Sequence, residues 1–433
     1  MKSEKYGIDI PEILLPSNVD VEKWSVIACD QYTQDAEYWK KAKNIAGNSP
    51  STLNLIFPEV FLESEDKKER ISKIHADMEK YISEKVFAPA VRSLVYLERT
   101  VLNGKKRCGL VAAVDLETYD WTSKSRSLIR ATEATIPERI PPRKAIRDGA
   151  ALESPHIMLL VNDKENALIG EVGKIAKLDG EIAYDGDLML SGGHISGWKA
   201  KSDRATKCFY DALESVRSAN TASDGSVFMF AVGDGNHSLA TAKAVWEDYK
   251  KAHPETTDHP LRYALAEIVN IYDDALDFKP IHRALFGADA KSLLSYLASS
   301  LEGKVCDAES ENEMLKAVND SKDGATFGFS FKEADTLTFR LLKTNITELA
   351  VSRLQPVLDA YLSNHVQTKI DYIHGEEELL RLSKVGAVSI FLPPIEKDGF
   401  FSTIVSRGTL PRKSFSMGEA DEKRFYLECR SLR

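Results

Sequence analysis

The chain has 433 residues, more than one hydrophobic core usually supports, so two domains are expected. Its 43% hydrophobic and 28% charged content is that of a globular protein, and a formal net charge of −9 argues against a dedicated nucleic-acid or anionic-membrane surface. No apolar run reaches the roughly 18 residues a membrane span needs, and the opening MKSEKYGIDIPEILLP has no long apolar stretch, so no signal peptide is expected.

Residues 1–60 are punctuated by Pro11, Pro16, Pro50 and Pro58. Within them WSVIAC at 24–29 reads as a short buried strand, followed by Asp30-Gln31-Tyr32. Polar side chains where a strand ends serve either as turn caps or as site groups, which makes Asp30 and Gln31 substrate-side candidates. Residues 65–86 place Ile71, Ile74, Met78 and Ile82 at helical spacing, with a solvated charged face. Residues 93–102 and 107–115 alternate around Asn103-Gly104, a hairpin signal.

The stretch 126–147, RSLIRATEATIPERIPPRKAIR, is rich in arginine and proline. A short helix after Pro142 would carry Arg143, Lys144 and Arg147. An exposed basic helix has this composition, and so does a phosphate or carboxylate clamp, for which arginine's planar fork is suited. Glu133, set among cations, is expected to be an anion, the state a proton acceptor needs. Next, PHIMLLV at 155–161 reads as a buried strand ending at Asn162-Asp163. The glycines of SGGHISGW at 191–198 are expected to make turns, and 200–220 to be helical.

The chain is organised around 226–250, SVFMFAVGDGNHSLATAKAVWEDYK. A strand over 226–232 is broken by Gly233-Asp234-Gly235. Asn236-His237-Ser238 then open a helix whose Leu239, Ala242, Val245, Trp246 and Tyr249 share one face. A glycine turn running into a helix start presents unpaired N–H groups to an anion. Ordinary capped turns use the same residues. The motif is neither a P-loop, since no Gly-Lys-Ser/Thr follows, nor a dinucleotide fingerprint, since its third glycine is missing.

Residues 262–272 read as a strand or short helix, and 277–286 place His282-Arg283 just after Pro280, where they serve packing as readily as chemistry. Beyond residue 288 the pattern mixes helices (291–301, 311–318, 348–364, 376–384) with strands (327–331, 336–342, 387–392). That mixture predicts a separate C-terminal α/β domain over 288–433, leaving 1–287 as the first. Cys29, Cys108, Cys208, Cys306 and Cys429 are scattered, with no CxxC pair, which fits a reducing compartment, the cytoplasm, and disfavours a zinc site or disulfide framework.

Four stretches together resemble the domain-of-unknown-function family 1015. They are Asp234-Gly235-Asn236-His237-Ser238, Arg130-Ala131-Thr132-Glu133-Ala134-Thr135, Pro280-Ile281-His282-Arg283 and Pro411-Arg412-Lys413-Ser414, in the expected order. That family is in turn similar to the ParB/sulfiredoxin-like superfamily, which includes free-serine kinases. The resemblance implies an α/β (α+β) nucleotide-binding core with added elements, in which the glycine turn holds phosphates. It also implies that Glu133 activates a substrate hydroxyl. The family's His-His-Arg run is Asn236-His237-Ser238 here, so one phosphate-facing cation is replaced unless Arg130, Arg143 or Arg147 substitutes for it.

These readings give a phosphotransferase that moves phosphate from a nucleotide (ADP, ATP or CTP) to a small hydroxylated metabolite such as a hydroxy amino acid. Gly233, Gly235, Asn236 and Ser238 would bind phosphates and Asp234 would hold Mg2+. His237 would bond phosphate oxygens, Glu133 accept the proton, and Arg130, Arg143 and Arg147 neutralise charge, with Asp30, Gln31, His282 and Arg283 on the substrate side. The alternative is a nucleotide-binding regulatory module without turnover. Neither reading includes a nucleic-acid or membrane partner, and oligomeric state is left open.

Overall fold

The computed structural model describes residues 2–101, 104–334 and 336–433; Asn103 of the predicted hairpin turn lies outside them. The chain divides into two units, Met1–Leu276 with Glu419–Arg433, and Asp277–Gly418.

The first unit is built on a mixed sheet. Its strands in chain order are β1 (Ile8–Asp9), β2 (Leu94–Thr100), β3 (Lys106–Asp115), β4 (Tyr119–Asp120), β5 (Ile129–Ala131), β6 (Met158–Val161), β7 (Ile182–Asp187), β8 (His194–Ala200), β9 (Phe230–Asp234) and β10 (Tyr263–Asn270). Across the sheet they run β7-β8-β2-β3-β10-β6-β9-β5-β4, with β1 against β3. The alternation read from the sequence makes β2 and β3 an antiparallel pair, Val95 opposite Val111 and Thr100 opposite Lys106. Residues 262–272 resolve as strand β10, parallel to β6.

Both faces of this sheet are covered, so successive strand residues enter different cores. Leu94, Tyr96 and Leu110 face one core with Phe209 and Leu213 of helix α3 (Asp203–Ala219) and Leu239 and Trp246 of helix α4 (Asn236–Ala252). Val95, Leu97 and Val111 face the other with Trp24, and with Ile74 and Met78 of helix α1 (Lys67–Ser83). Full burial of each such large side chain contributes about 1.5–3 kcal/mol. Ile82 ends the predicted apolar face of α1 at 43% exposure, whereas Tyr81 beside it is buried, so the packed face shifts by one residue at this end of the helix. Helix α2 (Ile140–Arg147) carries Arg143, Lys144 and Arg147.

The last residues of the chain belong to the first unit. Phe425–Tyr426 pairs with Val26–Ile27, and Arg430–Ser431 with Leu152–Glu153. The strand expected over 24–29 is therefore only Val26–Ile27, since Trp24 closes a short helix, Val21–Trp24. Arg424, 1% exposed, lies between Glu267 at 2.5 Å and Glu428, and Arg107 is 3.2 Å from Glu267. Burial works against the Glu267 charge, but Arg107 and Arg424 hold its carboxyl below the usual range. Removing one member of such a buried set typically costs about 3–5 kcal/mol.

The second unit has an antiparallel six-stranded sheet in the order Lys304–Ala308, Thr336–Lys343, Thr326–Glu333, Val388–Phe391, His282–Phe286, Lys369–Ile373. Helices Ala290–Ser300 and Ala350–Asn364 cover one face through Leu297 and Leu358. Glu311–Asn319 and Glu376–Lys384 cover the other through Met314 and Leu379. The division falls before residue 277 rather than after 287. The reason is strand pairing: Phe278–Pro280 and His282–Phe286 find their partners at Phe415–Met417, Lys369–Ile373 and Val388–Phe391.

Candidate functional site

The strand, turn and helix around Gly235 form as their residue types dictate. Strand β9 ends at Asp234, and helix α4 begins at Asn236. Opposite β6 the register jumps from Val232 to Asp234, so Gly233 sits in a bulge that re-aims the strand end. Gly235 has φ +80°, and a Cβ there would meet the Ile157 backbone at 3.1 Å; handedness and space both demand glycine. Gly235 caps the helix without a side-chain bond. Its own amide donates to Asp234 Oδ1 at 3.1 Å, but the amides of Asn236 and Ser238 have no partner among the described residues.

The Arg130–Thr135 motif comes to this corner from across the sheet, because β5 runs parallel beside β9. Thr132 Oγ1 donates to Val232 O at 2.6 Å, and the Ile136 amide donates to His237 Nε2 at 3.2 Å. As the acceptor in that bond, Nε2 carries no proton, so His237 orients the 132–136 segment. Asn236 Nδ2 lies 3.4 Å from both Thr132 Oγ1 and Val232 O. Asn236 Oδ1 and Thr135 Oγ1 are buried with no hydrogen-bond partner among the described residues. Glu133 lies in the same segment, half-buried, between Thr132 and Thr135.

On the other side stand residues that sequence reasoning passed over. His156 precedes β6, and its Nε2 is 2.9 Å from Ser238 Oγ and 4.0 Å from Asp30 Oδ2. Its Nδ1 is 2.7 Å from the hydroxyl of Tyr426, which also accepts the Cys29 amide at 3.2 Å. Lys423 places its ammonium 3.4 Å from Asp234 Oδ2. Lys423 and Tyr426 come from the returning tail, and nothing local in the sequence marks them. His156 did carry a signal, since it opens the predicted 155–161 strand, whose register against β9 brings it to the turn.

A cavity of about 150 Å³ opens beside Ser238 and His156, walled also by Glu59, Arg143, Arg147 and Thr241. Arg143 holds Glu59 through two bonds of 2.7 and 2.6 Å, and Arg147 reaches Glu153 at 2.6 Å. Burial raises the Glu59 carboxyl above its ordinary range, with Arg143 opposing. Glu153 is the reverse case: burial opposes its charge, yet Arg430 and Arg147 hold its carboxyl down. Asp30 sits near this cluster with Gln31 Nε2 3.1 Å from its Oδ1.

Three expected site residues lie elsewhere. Arg130 turns to the far end of the strand pair, donating to Ser127 O at 2.9 Å and Val227 O at 3.3 Å, with Phe228 beneath its guanidinium. Parallel pairing puts its backbone near the turn, but the side chain follows the interior it can fill. His282 and Arg283 belong to the second unit's interior. His282 Nδ1 accepts the Leu392 amide at 3.1 Å, and burial lowers its pKa to about 4. Arg283 donates to Gln355 Oε1 and Ile281 O, both at 2.7 Å. Among the described residues no group of three or more His, Cys, Asp or Glu could hold a metal ion, and no helix is long and apolar enough to cross a membrane.

An α/β chain with a mixed sheet, a glycine turn at a helix start and a small cavity beside it defines the class of protein. This chain belongs to the family of proteins of unknown function DUF1015, whose model matches residues 14–361. Solved structures similar to it include a conserved hypothetical protein from Pyrococcus furiosus, 10% identical with a TM-score of 0.36, covering 75% of this chain and 95% of that one. A free serine kinase in complex with AMP is 11% identical with a TM-score of 0.37, covering 75% and 91%. SbnI with a C-terminal truncation, from Staphylococcus aureus, is 9% identical with a TM-score of 0.36, covering 73% and 82%. No curated protein matches.

Proposed function

We propose that the first unit is a ParB/sulfiredoxin-like nucleotide-binding unit that transfers the terminal phosphate of a nucleotide (ADP, ATP or CTP) to a small hydroxylated metabolite. The observation that carries this reading is the pair of amides at Asn236 and Ser238, without a partner among the described residues, at a helix start beside a cavity. Those amides and the Ser238 hydroxyl would donate to phosphate oxygens, with Lys423 as the nearby cation. The acceptor oxygen attacks the terminal phosphorus, its proton passes to the Glu133 carboxylate, and the bond to the leaving nucleotide oxygen breaks. Catalysis here is positioning and charge neutralisation.

Magnesium would enter with the nucleotide. Asp234 can offer one carboxylate oxygen once Lys423 moves onto phosphate, and phosphates and water would complete the shell, as is usual for this ion. The unpaired thiols of all five cysteines support a reducing, cytoplasmic setting.

The test is incubation of the purified protein with each nucleotide, magnesium and a metabolite extract, followed by a search for a new phosphorylated species. Nucleotide consumption that depends on one metabolite supports the reading. The Lys423–Asp234 contact favours a second one, a nucleotide-gated module without turnover, because a carboxylate held by an ammonium is slow to take a metal. In that case nucleotide raises the melting temperature and no phosphorylated product forms. Absence of any nucleotide-dependent shift would falsify both.

A further inference from the structure

We propose that the cavity behind Ser238 takes an uncharged alcohol with a compact apolar body, as the acceptor in the phosphotransfer reading on which this inference rests. Size is the first constraint. About 150 Å³ is half the lower end of ordinary ligand pockets, roughly 300 Å³, and matches cavities that hold a single six-carbon ring, so about six non-hydrogen atoms fit. A nucleotide base does not fit beside them, which leaves the nucleotide outside, over the turn.

Wall chemistry is the second constraint. Leu55, Phe57, Leu62, Met78, Ile146 and Leu265 are among its walls. The charged groups among the lining residues form two ion pairs, Glu59 with Arg143 and Glu153 with Arg147, and Arg147 Nε alone of their buried side-chain atoms has no hydrogen-bond partner among the described residues. A carboxylate or ammonium entering would have to break one of those pairs or lie desolvated against hydrocarbon, and either is costly. A neutral body breaks neither pair.

The third constraint is the polar end. Tyr426, 2% exposed, accepts the Cys29 amide and lies 2.7 Å from His156 Nδ1, to which it donates in the Nε2–H tautomer of that histidine. In that tautomer His156 Nε2 carries the ring proton and donates it to Ser238 Oγ at 2.9 Å. That leaves the Ser238 proton to donate outward, toward a phosphate oxygen at the cavity mouth. One acceptor hydroxyl at that mouth sits next to the amides of Asn236 and Ser238, which have no partner among the described residues and where the phosphate would lie. His156 and Tyr426 are thus positioning residues for the Ser238 hydroxyl.

The experiment is a ligand-observed NMR titration of the full chain with cyclopentanol, cyclopentylamine, cyclopentanecarboxylate and L-serine, with ADP and ATP titrated separately on the same samples by thermal shift. We expect saturable cyclopentanol binding at least tenfold tighter than binding of the other three. Ala150→Leu and Leu62→Trp, each filling the cavity from a different side, should abolish it while nucleotide shifts persist; a melting curve shows which variant is folded. Tighter binding of L-serine or of a charged probe overturns the assignment, as does no cyclopentanol binding, or binding unchanged in the folded cavity-filling variants. Selective cyclopentanol binding with no nucleotide shift supports the cavity assignment and overturns the phosphotransfer reading instead.

Discussion

The corner at Gly235 and the His282-Arg283 pair look alike on paper: each sets histidine among polar residues where a strand meets a turn. In the structure they differ in burial and in what adjoins them. His282 and Arg283 are 4% and 0% exposed; His282 Nδ1 bonds to Leu392, and Arg283 Nε and Nη1 bond to Gln355 and Ile281. At the Gly235 corner Asn236 Oδ1, Thr135 Oγ1 and two helix amides have no partner among the described residues, and a cavity adjoins them. A buried polar group left unpaired costs about 1–3 kcal/mol, and only beside a cavity, as at the Gly235 corner, could a ligand repay that cost.

The contrast breaks most readily through turnover. Asp234→Ala and Glu133→Ala should each lower nucleotide-dependent turnover by on the order of 10²–10³-fold while leaving the far-ultraviolet circular dichroism unchanged. Wild-type rates in both would end the assignment. The same pair of regions separates under acid. His282 has a folded-state value near 4 against 6.5 in the open chain, so below about 6.5 the unfolded chain takes up a proton that the folded one refuses. Stability is complete above pH 6.5 and drains away as pH falls toward 4, by about 3 kcal/mol in all. His282→Gln should remove that slope from denaturant titrations of the second unit, and an unchanged slope would refute the burial argument.

A smaller effect is expected of Arg283→Met, which strands Gln355 Oε1 and Ile281 O in the interior. It should cost about 2 kcal/mol in urea unfolding, with nucleotide kinetics as in the wild type. Altered kinetics would place this pair in the chemistry after all. Smallest is Ser238→Ala. Loss of one donor to phosphate should weaken nucleotide binding about fivefold to tenfold, or roughly 1 kcal/mol, with no loss of fold stability beyond that size.

Much of the first unit was legible in the linear chain, because its signals are local. Period-two alternation gave β2 and β3, and the glycines at 233 and 235 gave the strand–turn–helix unit. The Arg130–Thr135 stretch could be flagged by type, but only parallel pairing of β5 with β9 shows that Thr132 and Ile136 touch the turn and that the Arg130 guanidinium does not.

What the sequence alone determined is therefore the α/β class, the family, and one corner whose residue types suit an anion. Tertiary structure decided which side chains surround that corner. Lys423 and Tyr426 arrive on a tail that pairs with Val26–Ile27, and His156 arrives by strand register. Backbone conformation is governed by neighbours a few residues apart, whereas a site is assembled by hydrogen-bonded pairing and burial across hundreds of residues, and no local pattern encodes such partners.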